Sequence, residues 1–221
     1  MRGRKFVLFD FDGVIADSYE VGFATARKLC VRITDEEYQR VFEGNAYEEH
    51  HIFMARPHGP ECHHDLDWFS IFTPAFEERA KLFPGMREVV EKLSHEYVLV
   101  IVSSTITSPI QGFLEKYRIG RYFSEVMGAD VHTGKREKIQ MIFEKYKTSA
   151  AECIFITDTL GDMREAKAAG VGAIGVSWGF HPRETLQKGE PLRVVESPKE
   201  IVPAVDSYFA QLGSERNIAM T

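Results

Sequence analysis

A short apolar segment that ends in two carboxylates, KFVLFDFDGV at residues 5–14, constrains the fold of this chain more than any other feature. Residues typical of a buried strand lead directly into Asp10 and Asp12, and Gly13 follows. Near-continuous apolar strands are typical of parallel sheets covered on both faces, in which ligands bind at the carboxyl ends of the strands. Two acids there lose hydration and repel each other, which a bound cation would offset. An acidic turn after a strand is the alternative interpretation.

A second apolar segment, at residues 152–157, also ends in acids, which are Asp158 and Asp162. A helix is predicted to follow, with Asp162 near its start and Gly170 at its C-terminal end. Two acid pairs at strand ends can converge on one cation, and oxygen ligands suit magnesium. The sequence therefore predicts a Mg²⁺ site at this edge of a sheet.

The two acidic segments resemble the first and fourth motifs of phosphohydrolases of the haloacid dehalogenase-like superfamily. The first motif of that family is Asp-x-Asp-Gly, which matches Asp10 to Gly13. The fourth is Asp-x-x-x-Asp, which matches Asp158 to Asp162. A lone Asp-x-Asp would say little, but the ordered set at predicted strand ends is specific.

Two further segments match the motifs that this family carries between those two. The strand predicted at 97–102 ends in Ser103 and Ser104, and the resemblance implies that the Ser103 hydroxyl and the Ser104 N–H donate to a phosphoryl oxygen. The third motif is a lysine at a helix start, which Lys135 fits best and Lys138 fits second best. Apolar residues further along that helix would face the sheet and leave Lys135 to reach inward. A hydroxyl-rich turn and a basic surface helix start are the alternative interpretations.

The resemblance implies a phosphatase that works through an aspartyl-phosphate intermediate. Asp10 would be the nucleophile and a Mg²⁺ ligand. Asp12 would protonate the leaving alcohol, activate the hydrolytic water and bind the metal through its backbone carbonyl. Asp158 would complete the ligand set, Asp162 would bind directly or through water, and Lys135 would neutralise charge. Because Asp12 is present, phosphate-ester chemistry is favoured over cleavage of carbon–halogen or carbon–phosphorus bonds.

Alternating strands and helices after residue 84 predict an α/β fold, a doubly wound parallel (Rossmann-like) sheet. Residues 18–83 are predicted to be helical instead, with a capping box at 34–37. We therefore expect an α/β catalytic core at 1–17 and 84–221 and a small helical cap at 18–83. This order resembles the phosphoglycolate phosphatase-like branch of the family.

Two other functions remain open within the same family. Related sugar phosphomutases carry a His about ten residues after the second Asp and an Arg in a cap Gly-x-x-Arg, where this chain has Gly22 and Tyr47. These differences favour hydrolysis over phosphomutase activity. A non-catalytic, phospho-ligand-binding protein would typically have lost one of the acids, and all of them are present here.

The predicted cap contains five of the eight histidines, near Cys62 and Asp65: His50, His51, His58, His63 and His64. Their spacing matches no recurring zinc framework, so we expect solvated loop histidines or one or two that face the substrate. Phe69, Phe72 and Phe76 have helical spacing, which predicts a core stripe rather than a substrate wall.

Composition and charge exclude several classes of protein. The net charge of −6 argues against a general nucleic-acid or acidic-membrane surface. No run approaches the ~18 apolar residues of a membrane span, and the N-terminus leads into a strand rather than a signal peptide. Cys30, Cys62 and Cys153 are odd in number and far apart, which predicts reduced thiols. We expect a cytoplasmic monomer or homodimer that acts on a small phosphorylated metabolite.

Overall fold

The computed structural model describes residues 4–49, 62–63 and 66–218, with side chains up to residue 212. The strands are β1 (Phe6–Phe9), β2 (Ala16–Asp17), β3 (Lys81–Leu82), β4 (Val98–Val102), β5 (Phe123–Met127), β6 (Cys153–Thr157), β7 (Gly172–Val176) and β8 (Arg193–Val195). The helices are α1 (Tyr19–Leu29), α2 (Asp35–Arg40), α3 (Trp68–Arg79), α4 (Met86–Ser94), α5 (Thr107–Lys116), α6 (Lys135–Tyr146), α7 (Leu160–Ala168), α8 (Arg183–Gln187) and α9 (Ile201–Ile218).

Six strands form one sheet in the order β5-β4-β1-β6-β7-β8, and every neighbouring pair is parallel. Helices cover both faces of the sheet, as the side chains of β1 show by alternating between the two faces. Val7 and Phe9 pack with α3, α4 and α5 on one face, whereas Phe6 and Leu8 pack with α6 and α7 on the other. The predicted α/β, Rossmann-like fold is confirmed.

The predicted site residues are brought to one edge by the position of β1. Because β1 lies between β4 and β6, with Phe9 opposite both Ile101 and Ile156, the three strands end at the same level. The chain runs from β1 through β4 to β5 on one side and then crosses to β6, β7 and β8 on the other, so the strand order reverses beside β1, which is the arrangement that opens a ligand crevice at the carboxyl ends.

A short antiparallel ribbon marks where the chain leaves the sheet for a helical insertion and returns. Ala16 of β2 pairs with Leu82 of β3, and α1, α2 and α3 lie between them in sequence. The capping box at the start of α2 is formed as predicted, with Thr34 and Glu37 bonded reciprocally. The cap boundaries at 18 and 83 stay a prediction, although the ribbon lies beside both.

Sequence periodicity missed the shortest elements. The two-residue strands of the ribbon, the five-residue helix α8 and the three-residue edge strand β8 are too short to show a hydrophobic period. Helix α7 begins two residues before the predicted start at Asp162, because the hydroxyl of Thr159 caps it by accepting from the Asp162 N–H. In the described part of the chain, no helix is both long and apolar enough to cross a membrane.

The expectation of three reduced thiols is wrong for two of the cysteines. Cys30 and Cys62 form a disulfide across 32 residues, and their backbones form an antiparallel bridge. The sequence did not reveal this contact, because the segment after α1 and the segment before α3 meet only once the insertion has folded. Cys153 is a buried thiol on β6, as predicted. Since the disulfide removes the thiol argument for a cytoplasmic location, that location stays a prediction.

Removing the disulfide is expected to lower stability through the entropy of the unfolded chain. For a 32-residue separation, Cys30→Ser should lower the free energy of unfolding by about 3–4 kcal/mol in urea titrations. Reductant should lower the stability of the wild type by a similar amount and leave that of Cys30→Ser unchanged. A wild type whose unfolding ignores reductant would contradict the pairing.

Candidate active site

Asp10 follows the last residue of β1 and is buried, with 5% of its surface exposed. Its Oδ1 accepts a hydrogen bond from the Phe11 N–H at 2.7 Å and lies 2.7 Å from Lys135 Nζ. Burial raises the pKa of Asp10 well above its usual value, and repulsion from Asp162 and Asp158 adds to this, although Lys135 opposes it. The carboxylate is thus fixed in place and depends on nearby positive charge to stay ionised.

Lys135 is the first residue of α6, and its side chain reaches inward to two acids. Its Nζ lies 2.6 Å from Asp162 Oδ2 in addition to its contact with Asp10. Burial disfavours the charged amine, but the two carboxylates outweigh it, and the pKa of Lys135 is raised. The Glu165 carboxylate accepts from the backbone N–H groups of Lys135 and Arg136, which anchors the start of the helix.

Lys138, the second candidate for the lysine motif, has a different position. Its buried Nζ donates to the Ser103 carbonyl at 2.5 Å and lies 3.5 Å from the Gly128 carbonyl. Burial, together with repulsion from Lys135, lowers the pKa of Lys138 to about 8. Lys135 therefore contacts the acids, whereas Lys138 braces the loop after β4.

Asp12 lies two residues beyond Asp10 and is held by two hydroxyl groups. Ser18 Oγ donates to one carboxylate oxygen and Thr105 Oγ1 to the other, each at 2.7 Å. Burial raises the pKa of Asp12, and the hydroxyl donors oppose this shift only in part. Sequence reasoning missed Ser18 and Thr105, although Thr105 lies in the hydroxyl run after β4 that carried the signal.

Gly13 allows the loop after β1 to approach the acid at the end of β6. Its φ of +71° favours glycine, and a Cβ there would lie 1.9 Å from Asp158 Oδ2. A Cβ on Gly179 would lie 2.2 Å from the same oxygen. Two loops therefore enclose the Asp158 side chain, and each comes so close to it that only glycine fits at positions 13 and 179.

Asp158 and Asp162 differ sharply in their partners. Asp158 Oδ2 accepts from the Phe180 N–H at 2.6 Å, whereas its buried Oδ1 has no hydrogen-bond partner. Burial is the main reason that the pKa of Asp158 is raised to about 8. Asp162 Oδ2 accepts from Lys135 and from Thr157 Oγ1, and despite burial the charge of Lys135 lowers the pKa of Asp162.

The orphaned oxygen of Asp158 fits a bound cation. A buried carboxylate oxygen without a partner is costly, and a cation beside it would remove that cost. In the ranges that the structure describes, no three His, Cys, Asp or Glu side chains form a ready-made metal cage. Mg²⁺ rarely uses such a cage, because it takes one or two carboxylates plus waters and substrate phosphate. The donors around Asp10 and Asp158 are of this kind.

The two serines after β4 have separate contacts. Ser103 is fully buried, and its Oγ accepts from the Thr105 N–H at 2.9 Å. The Ser103 hydroxyl also contributes to lowering the pKa of Asp12, although burial of that acid dominates. Ser104 lines a cavity above the acids, and its carbonyl accepts from the Tyr47 hydroxyl at 3.0 Å.

Side chains of the helical insertion rest directly on the core. In addition to the Tyr47 contact, Asn45 donates to Glu165 at 2.7 Å, which is the carboxylate that anchors α6. The insertion and the lysine-bearing helix therefore share one partner.

His181 bridges the insertion and the start of α7. Its Nδ1 accepts from the Leu160 N–H at 3.0 Å, so Nε2 carries the proton that is donated to the Gln39 carbonyl at 2.9 Å. Burial lowers the pKa of His181, which favours this neutral form. Next to it, a Cβ on Gly161 would lie 1.9 Å from the Gly44 carbonyl oxygen.

A cavity of about 170 Å³ lies between the insertion and the carboxyl edge of the sheet, with Asp10, Asp12 and Lys135 among its lining residues. The predicted core stripe is confirmed, because Phe72 and Phe76 belong to the hydrophobic core and Phe69 packs against it, and Phe69 and Phe72 also line the cavity. Helical spacing identifies a buried face but not whether protein or ligand covers it. His50, His51, His58, His64 and Asp65 lie outside the described residues, and His63 is exposed.

Comparison with known families gives a match over most of the chain. Residues 7–176 match the model of the haloacid dehalogenase-like hydrolases. A phosphoglycolate phosphatase of Pseudomonas fluorescens is 24% identical, and the alignment covers 94% of this chain and 82% of the relative. A phosphoglycolate phosphatase of Vibrio parahaemolyticus is 23% identical, with 91% and 96% covered.

Solved structures share the fold at low sequence identity. A hydrolase from Pseudomonas syringae superposes with a TM-score of 0.77 at 17% identity, covering 92% of this chain and 99% of that one. A haloacid dehalogenase-like family hydrolase from Streptococcus pneumoniae gives a TM-score of 0.72 at 19% identity, with the same coverage.

Removing the Lys135 amine should leave buried carboxylates without their partner. We expect Lys135→Met to lower the free energy of unfolding by about 3–5 kcal/mol at pH 7 in metal-free buffer. The loss should shrink towards pH 5. The reason is that Asp10, without its amine partner, has a raised pKa in the folded state. The free energy of unfolding of the variant therefore falls as the pH rises above the unfolded-state pKa near 3.8.

Lys138→Met is the matched control, since it removes a buried amine that donates to neutral carbonyls. The loss in free energy of unfolding caused by this substitution should not change between pH 5 and pH 7, because the Lys138 amine is protonated in the folded and in the unfolded state over that range. An equal pH dependence in urea titrations of the two variants would contradict the ion pairs of Lys135.

Proposed function

The chain belongs to the haloacid dehalogenase-like hydrolase family and is a phosphatase, and on that premise we propose that it hydrolyses a small phosphate monoester with Mg²⁺ through an aspartyl-phosphate intermediate. The observation that carries the proposal is the contact between Lys135 Nζ and the Asp10 carboxylate, beside an Asp12 held by two hydroxyls. These contacts support the proposal, because phosphoryl transfer requires a nucleophile, an acid and positive charge close to one another.

Asp10 is the proposed nucleophile. A bond forms between its carboxylate oxygen and phosphorus while the bond from phosphorus to the ester oxygen breaks. An anionic nucleophile and an anionic phosphate repel each other, and the Lys135 ammonium offsets this repulsion. The Ser103 hydroxyl and the Ser104 N–H are proposed donors to the phosphoryl oxygens, at the end of the neighbouring strand.

Asp12 is the proposed acid and base. In its protonated form it gives its proton to the leaving alkoxide, and it then takes a proton from the water that attacks the intermediate. Its raised pKa favours the protonated form that the first step needs. The hydroxyls of Ser18 and Thr105 can turn from donor to acceptor, so they hold the side chain in both protonation states.

The proposed Mg²⁺ ligands are the carboxylates of Asp10 and Asp158 and the backbone carbonyl of Asp12, with Asp162 binding directly or through water. The ion, when bound, supplies positive charge that stabilises the phosphoryl oxygens. Lys135 keeps Asp162 ionised and oriented at the start of α7.

Phosphomutase activity is not supported by the residues near the nucleophile. Gly22, where the mutases carry His, has no side chain, and a Cβ there would lie 2.1 Å from the Tyr38 hydroxyl. Tyr47, where they carry Arg, donates to the Ser104 carbonyl. Water is therefore the proposed acceptor of the phosphoryl group.

The acid role of Asp12 can be tested by changing the leaving group. Asp12→Asn keeps the backbone carbonyl but cannot donate a carboxylic proton. We expect kcat to fall about 10²–10⁴-fold for propyl phosphate and far less for p-nitrophenyl phosphate, whose leaving group needs little protonation. Asp10→Asn, which lacks the attacking oxygen, should be inactive on both substrates. Equal losses for both in Asp12→Asn would leave Asp12 with a structural role only.

The metal requirement provides a separate test. Phosphate release should stop in chelator and return with Mg²⁺, whereas Ca²⁺ should inhibit because its larger and looser coordination shell misplaces the attacking oxygen. Asp158→Asn should raise the Mg²⁺ concentration for half-maximal activity at least about tenfold. Asp206→Asn, which changes an exposed acid on α9, is the matched control and should not change it. Full activity in chelator would refute the metal role.

A further inference from the structure

We infer that the alcohol part of the substrate is uncharged and apolar, about the size of a three- to six-carbon chain or a single ring, and carries no second anionic group. The inference rests on the proposed function and adds the chemistry of the leaving group. Phosphoglycolate, from which the two relatives described above take their name, carries a carboxylate, which is the opposite kind of group.

The cavity above Asp10 has apolar walls. Ala26, Leu29 and Ile33 line it at and after α1, and Phe69 and Phe72 line it from α3. Ala26, Leu29, Ile33 and Phe72 are all at least 94% buried, so the space they enclose is shielded from solvent. An alcohol part that extends away from the phosphoryl group would lie against these side chains.

Aromatic rings make a second part of this wall rigid. Phe42 and Phe180 line the cavity with their ring centroids 4.8 Å apart at 86°, and Tyr38 packs on Phe42 at 5.2 Å. Edge-to-face packing of this kind fixes the rings, so they cannot readily make room for water around a charged group.

The charges that face the cavity are unfavourable for a second anion. Among the described lining residues, Lys135 is the only Lys or Arg, and its Nζ is bonded to Asp10 and Asp162. The other acidic side chains on this lining, apart from the tyrosines, are those of Asp10, Asp12 and Asp162. A substrate carboxylate would therefore lose its hydration against apolar walls and face acids without a new partner.

Most of the hydroxyls on the lining are already engaged within the protein. Ser18 and Thr105 donate to Asp12, Tyr47 donates to the Ser104 carbonyl, and Thr159 accepts from the N–H of Asp162. A sugar or polyol would therefore find few neutral partners on this wall.

The volume sets the size of the group. A cavity of about 150 Å³ with apolar walls holds one benzene molecule, and this one measures about 170 Å³ including the space next to Asp10 that the phosphoryl group needs. What remains accommodates a short chain or one ring.

A series of n-alkyl phosphates tests the apolar wall, because ethyl to hexyl phosphates differ little in leaving-group reactivity. We expect kcat/KM to rise about fourfold per methylene until the cavity is full, and then to fall. Phosphoglycolate and its uncharged amide form a matched pair, and the amide should be the better substrate by at least about a hundredfold. A preference for phosphoglycolate over the amide and over butyl phosphate would overturn the inference.

A charge placed on the wall should change this preference. Phe69 is half-buried, so Phe69→Arg can reach the cavity, and Phe69→Leu is its uncharged control. Phe69→Arg should raise the ratio of phosphoglycolate to butyl phosphate turnover at least about tenfold, whereas Phe69→Leu should not. An equal ratio in a folded Phe69→Arg protein would count against the proposed wall.

Binding provides a readout that needs neither turnover nor a wall variant. In Asp10→Asn with Mg²⁺, calorimetric Kd values for n-alkylphosphonates should fall about fourfold per methylene, and phosphonoacetate should bind more weakly than propylphosphonate. Kd values that ignore chain length would overturn the inference even if no monoester is hydrolysed. Failure of the proposed function is different, since it means no Mg²⁺-dependent phosphate release from any monoester, p-nitrophenyl phosphate included.

Discussion

The ion pairs of Lys135 with Asp10 and Asp162 are the interaction on which the rest of the site depends. Asp10 and Asp158 lie at the ends of two neighbouring strands and Asp162 in the first turn of a helix, and burial alone would drive protons onto all three acids. The lysine ties α6 to β1 and to α7 at the same time. Glu165 in turn accepts hydrogen bonds from the backbone at the N-terminus of α6. The position of the Lys135 amine is therefore fixed by an anchored helix start as well as by the flexible side chain.

The sheet supplies the other half of this arrangement. Because β4 and β6 are parallel neighbours of β1 and in register with it, residues about 90 and 150 positions from the end of β1 arrive at the same edge of the sheet. This arrangement brings the backbone after β1 very close to the Asp158 carboxylate. Position 13 is therefore a glycine, since a side chain there would clash with that carboxylate. The geometry of the site thus depends on the strand order, on the inward-pointing side chain of Lys135 and on the glycine at position 13.

The parallel sheet and the position of the acids at the ends of its strands could be predicted, because both depend on a local sequence pattern. That pattern is an apolar run that ends in carboxylates. The supporting contacts could not be predicted. Glu165 looks like any exposed helix residue in sequence, and His181 follows a loop with no period, yet both join segments far apart in the chain. The Cys30–Cys62 pairing and the cavity beside Phe72 were missed for the same reason, since each depends on where the insertion packs on the core.

Gly161 lies where the insertion meets the first turn of α7, with its N–H donating to the Phe42 carbonyl and no room for a methyl group beside Gly44. At this point the insertion and the α/β core are therefore in contact through backbone atoms alone. Backbone contacts of this kind are insensitive to what the substrate is. The same packing of the insertion on the core can thus be kept while the wall residues of α1 and α3 change, so substrate selectivity can evolve separately from this packing.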